Sequence, residues 1–99
     1  MSPTLSNMLQ ALVDNQVKQT YHGLSFVFIG LAGQIHDDAI GGIQTTIDEI
    51  ADFLEDAYDT RFPINYTTNN GAQMHVQPLV DNAIRLIRKY CRIRYGLHI

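Results

Sequence analysis

The sequence predicts an all-α protein: an antiparallel up-and-down four-helix bundle, in one domain spanning residues 1–99. Three observations predict it. Apolar residues recur at spacings of three and four along most of the chain, the helical period. The breaks between these segments are mostly short, which sets successive helices antiparallel. No second strand-like run exists to pair with the one stretch that favours strands, and an isolated strand cannot satisfy its backbone. At 99 residues and 45% apolar, the chain buries somewhat over about 60% of its unfolded surface, enough for one core.

The first helix begins at Ser2-Pro3, where Ser caps and Pro tolerates the first helical position. Leu5, Met8, Leu9, Leu12, Val13 and Val17 form its apolar stripe over roughly 15 residues. Tyr21, His22 and Gly23 form a weak break. Residues 24–36 read as a buried helix, although Phe26, Val27, Phe28 and Ile29 favour strands and a strand is the alternative. Gly23, Gly30 and Gly33 each cost a helix about 1 kcal/mol relative to Ala; close approach of a neighbouring helix would compensate. Asp37 or Asp38 is placed to cap the next segment, and Gly41-Gly42 to break it again.

The third helix places Ile43, Ile47, Ile50, Leu54, Ala57 and Tyr58 on one face. Asp48, Glu49, Asp52, Glu55, Asp56 and Asp59 fall on the opposite face. Thr46 and Glu49 have capping-box spacing, so a start at Thr46 is also open. Residues 61–72 read as the one long loop, with Pro63 stopping the helix and Asn69-Asn70-Gly71 as turn chemistry. The last helix starts between Ala72 and Pro78 and runs to about Ile93. Its apolar face comprises Val76, Leu79, Val80, Ala83, Ile84, Ile87, Tyr90 and Cys91. Gly96 is its stop signal. Three helices, with residues 4–36 as one bent element, are the alternative architecture.

Charge is sorted by position. Residues 1–60 sum to −8 and residues 61–99 to +5, within an overall −3. Such asymmetry points to partner binding. Arg85, Arg88, Lys89 and Arg92 stand at i, i+3, i+4 and i+7 on one helix face, a docking surface for an anionic partner or a merely solvated face. Because each charged face lies opposite its own apolar face, the acidic and basic faces should point outward and apart, pairing only along edges. Exposed pairs contribute only about 0–1 kcal/mol each, so stability alone does not require the arrangement.

Other chemistries are poorly supplied. A pI near 5.7, with no stacking platform beside the bases, argues against nucleic acid. Glu49 and Asp52 have the i, i+3 spacing of carboxylates that hold Mg²⁺ in nucleotide pyrophosphohydrolases, but neighbouring helices offer no second pair, so no metal or other cofactor is expected. His36 beside Asp37-Asp38 lacks a second His at i+3 or i+4. Arg92 and His98 match the loose Arg-x(4–6)-His spacing of a helical ribonuclease family, but His98 is penultimate, where fraying is expected. No catalytic constellation emerges. Cys91 reads as a small core residue, and a lone cysteine excludes an internal disulfide and a CxxC site. No signal peptide is expected, and the longest apolar run, Leu24–Ala32, is too short to span a membrane. Tyr58, Tyr66, Tyr90 and Tyr95, with Phe62, read as packing of the long loop over the bundle end, or as a recognition surface.

Arg92-Ile93-Arg94-Tyr95-Gly96 resembles the C-terminal ending of some pediocin-like bacteriocin immunity proteins. The resemblance implies a cytosolic four-helix bundle whose C-terminal half sets specificity. It also implies action at the inner membrane face on the sugar-transporter receptor that the bacteriocin attacks. No catalytic residue carries over. On this reading the partner-binding residues are Arg85, Arg88, Lys89, Arg92, Arg94 and Tyr95, with the loop at 61–72. The expected protein is therefore a small, non-enzymatic, cytoplasmic helical binder of another protein, and the resemblance adds a peripheral place at the inner membrane face. The alternatives are a homo-oligomeric regulator packing Gly23, Gly30, Gly33, Phe26 and Phe28 against a second copy, a nucleic-acid binder through the basic helix, and a metal-dependent hydrolase-like domain.

Overall fold

The computed structural model describes residues 1–18, 23–38, 42–62 and 76–97, without the side chain of Ile43. They form four helices, α1 (Pro3–Val17), α2 (Leu24–Asp38), α3 (Ile43–Arg61) and α4 (Val76–Tyr95). No strand occurs among the described residues, so the strand alternative for 24–36 is set aside.

Local chemistry accounts for the ends. Ser2 caps α1 by accepting from the Leu5 N–H at 3.2 Å. The α3 start differs from expectation. Asp37 and Asp38 belong to the last turn of α2, and Gly42 is the N-cap of α3, at φ +140 with no side-chain cap. The helix starts at Ile43 rather than Thr46. The Thr46 hydroxyl donates back to the Gly42 carbonyl at 3.3 Å, a bond within the helix instead of a cap. Arg61 still belongs to α3. The helix α4 outruns its expected end by two residues and stops where Gly96, at φ +64, donates its N–H to the Arg92 carbonyl at 3.0 Å. That is a left-handed C-terminal cap of the kind glycine supplies. The expected breaks at Tyr21-His22 and Gly41, and the loop with Pro63 and Asn69–Gly71, lie outside the described residues.

End contacts set the directions. The Ser2 hydroxyl donates to Asp38 at 2.8 Å, joining the start of α1 to the end of α2, so these two run antiparallel. The N-terminal amine lies 3.6 Å from Glu49, and Arg61 pairs with Asp14, so α1 and α3 run parallel. Phe28 stacks on Tyr90 and His36 on Tyr95, so α2 and α4 run parallel. Each helix thus reverses its predecessor. Around the bundle, however, the order is α1, α2, α4, α3, with α1/α4 and α2/α3 on the diagonals.

One core fills the centre. Leu5, Leu9, Leu12 and Val13 meet Phe28, Leu31, Ala32 and Ile35 from α2. Ile47, Ile50, Leu54 and Tyr58 from α3 and Val80, Ala83, Ile87 and Cys91 from α4 complete it. Among the described residues no polar or charged residue is buried as a whole, apart from the tyrosine counted with the core. The hydrophobic effect alone therefore organises the interior.

Candidate docking groove between the third and fourth helices

The charged faces of α3 and α4 approach each other along one edge only. The two helices are neighbours, and the flanks of both charged arcs turn toward the same rim, bordering a groove of about 750 Å³. Its floor is apolar, with Ile47 and Ala51 from α3 and Val80 and Ile84 from α4. Asp48 and Glu55 stand on the α3 wall. Arg85, Lys89 and Arg92 stand on the α4 wall, with Arg88 lower and half-buried and Gln77 and Asp81 at the far end. Because α3 and α4 run antiparallel, Asp48 lies nearer the Arg92 end of the groove than Glu55 does.

Among the described residues no ion pair closes this groove. Among the described residues none of the four bases pairs with a carboxylate. Arg85 donates to Asn82 at 2.9 Å, one turn back on its own helix. The Arg88 Nε is buried with no hydrogen-bond partner. A buried guanidinium nitrogen without an acceptor is costly, since it has lost water and gained nothing. The four bases expected as one continuous face are together as expected.

Arg94 and Tyr95 are separated from them in role. Arg94 is exposed beyond the groove. Tyr95 is committed to its own fold: its ring stacks on His36 at 4.5 Å between centroids, and its hydroxyl sits 3.0 Å from where a Cβ on Gly33 would lie. It remains 40% exposed, while Ile93 beside it is 66% exposed. The expected aromatic cluster around the long loop divides accordingly. Tyr58 and Phe62 pack together at one end, 6.0 Å between centroids, whereas Tyr90 and Tyr95 both pack on α2. Tyr66 lies outside the described residues.

The groove itself was hidden from sequence. The period of a helix defines its own faces, and which flanks meet depends on the α3–α4 adjacency. The signal that bears on it is the placement of Ile84 and Ala51 at the edge of each apolar arc.

Among the described residues no group of three or more His, Cys, Asp or Glu converges as a metal site. His36 lies 3.3 Å from Asp37, its sequence neighbour. Cys91 is fully buried, and burial pushes its thiol pKa up, which keeps it protonated and unreactive. His98, of the Arg92–His98 spacing, lies outside the described residues. The expected oligomer contact on α2 is occupied from within. Gly30 faces Met8, Gly33 faces Tyr95 and Phe28 is buried, leaving Phe26, 78% exposed, and Gly23, which has nothing within 4 Å of where its Cβ would lie. Among the described residues no helix is long and apolar enough to cross a membrane.

No protein family, curated protein or solved structure matches the chain.

Proposed function

We propose that the protein acts without catalysis, by docking an acidic protein surface onto the bases of α4. The observation that carries this reading is the lack, among the described residues, of a carboxylate partner for Arg85, Arg88, Lys89 and Arg92, although acids stand across the same groove. Four cations held on one rigid helix, beside apolar floor, offer charge for orientation and apolar area for affinity. Arg and aromatic residues are also the types that dominate binding energy in protein interfaces.

The narrower form of the proposal is bacteriocin immunity at the cytoplasmic face of the membrane. It rests on the resemblance of Ile93–Gly96 to the ending of the pediocin-like immunity proteins. It is supported by the exposure of Ile93 and Arg94 beside Arg92 at the end of α4.

One experiment tests both forms. Arg85, Arg88, Lys89 and Arg92 are replaced together by Gln, and wild type and variant are expressed in a strain killed by pediocin-like bacteriocins. Wild type should protect. The variant should lose protection while its melting temperature stays within a few degrees, because the charges of Arg85, Lys89 and Arg92 are exposed and contribute little to stability, and the buried Arg88 Nε has no hydrogen bond to lose. A variant that unfolds would show the bases to be structural, and undiminished protection would remove them from the docking surface.

A further inference from the structure

The groove has two walls of opposite sign, and this restricts what fits it. An acidic helix from another protein would be drawn to Arg85, Lys89 and Arg92 but repelled by Asp48 and Glu55 on the facing wall. The surface that answers both walls is bipolar in the same way. We infer that the groove is a self-complementary interface, and that its occupant is the α3–α4 face of a second copy of this chain. This rests on the reading of α4 as a docking surface and names the acidic partner as α3 of the other copy.

Charge also selects the symmetry. A two-fold axis across the helices would set α3 on α3 and α4 on α4, acid against acid and base against base. A two-fold axis along the groove sets α3 of one copy over α4 of the other, antiparallel. The same axis therefore brings Asp48 and Glu55 of each copy over the α4 wall of the other, which carries Arg85, Lys89 and Arg92. Like-charge contact across an interface is strongly disfavoured, so only the axis along the groove survives. The α3–α4 contact forms twice, as an isologous two-fold interface requires. The partly exposed floor residues, Ala51 and Ile84, then lie at the interface.

Size sets the strength. The groove follows α4 from Gln77 to Arg92, about 24 Å at 1.5 Å per residue. Two helices about 10 Å wide make a face of roughly 480 Å² per copy, below the ~800 Å² of a standard stable interface. The dimer is accordingly a concentration-dependent one.

Sedimentation velocity of the full chain, from about 10 μM to 1 mM, a range suited to a small interface, reads the mass directly. The expected species shifts from 11.2 kDa toward twice that mass, and rising salt weakens it, because exposed charges are screened. Two charge-reversed variants then test the pairing. One carries Asp48→Lys and Glu55→Lys, the other Arg85→Glu and Arg92→Glu. All four positions are exposed, so helical circular dichroism should be retained. Each variant alone should dimerise more than tenfold more weakly than wild type. An equimolar mixture should recover the dimer, since both α3–α4 contacts regain opposite signs. A wild type that stays at 11.2 kDa throughout overturns the inference, as does a dimer insensitive to salt or a mixture that stays monomeric. A variant that does not fold leaves the mass and salt arms decisive. Loss of protection by the Gln variant described above concerns the bases of α4 alone, so a monomeric wild type whose Gln variant still loses protection overturns the dimer without touching that reading.

Discussion

Tyr58 is fully buried, yet its hydroxyl has no hydrogen-bond partner among the described residues. Its ring packs against Phe62 and the core around Leu54. Burial pushes its pKa far above the ordinary value, because a phenolate there would have neither water nor a counter-charge. The ring therefore stabilises and the hydroxyl costs. An unsatisfied buried donor is worth about 1–3 kcal/mol against the fold. Tyr58→Phe keeps the ring and removes that cost, so its urea midpoint should equal or exceed that of wild type. A fall of more than about 1 kcal/mol would mean that the hydroxyl has an acceptor. Tyr58 was legible as core from its position in the α3 stripe. Its unpaired hydroxyl was not, because hydrogen-bond partners come from neighbouring helices that spacing does not name.

At the scale of the element, α2 carries the most information about how these helices were chosen. Its residues favour strands locally, and the helix wins because neighbours cover it on two sides: α1 through Met8 against Gly30, and α4 through Tyr90 against Phe28. Expecting the glycines to serve close approach holds unequally. A Cβ at Gly33 would lie 3.0 Å from the Tyr95 hydroxyl, tighter than most real contacts, so Gly33 makes room for Tyr95. At Gly30 it would lie 3.5 Å from the flexible end of Met8, an ordinary van der Waals distance. Gly30→Ala should therefore recover helix propensity and raise stability by up to about 1 kcal/mol. Gly33→Ala should gain less, because Tyr95 must shift off His36. Thermal melts of the two variants compare them directly, and a Gly30→Ala that melts well below wild type would mean α1 and α2 pack more closely than this. The helical stripes were legible because period alone defines them. The α3 cap was not, since Asp37 and Asp38 have the chemistry of a cap but are drawn into α2 by Gln34 and Ser2, which both donate to Asp38.

For the whole molecule, the same end contacts make stability depend on acid. The directions of the helices were legible from short breaks. Their order around the bundle was not, because nothing local decides which diagonal a short connection spans. That order places Asp14 of α1 beside Arg61 of α3, and Asp38 of α2 beside Ser2 at the start of α1. The Asp14 carboxyl is held below the ordinary carboxylate value of 3.8, first by the Gln10 amide that donates to it at 3.1 Å and then by the Arg61 guanidinium. Asp38 is held below it by the Gln34 amide and the Ser2 hydroxyl. A carboxylate whose pKa is depressed in the folded state binds its proton more readily when unfolded. Its contribution is therefore present above pH 3.8 and is lost as pH falls from there through the lower folded value. The guanidinium midpoint should hold steady from neutral pH to about pH 5 and fall below pH 4, in the direction that linkage requires. The double variant Asp14→Asn, Asp38→Asn should start less stable at neutral pH and fall less steeply below pH 4. Parallel curves for wild type and variant would show that these two carboxylates do not supply the acid dependence.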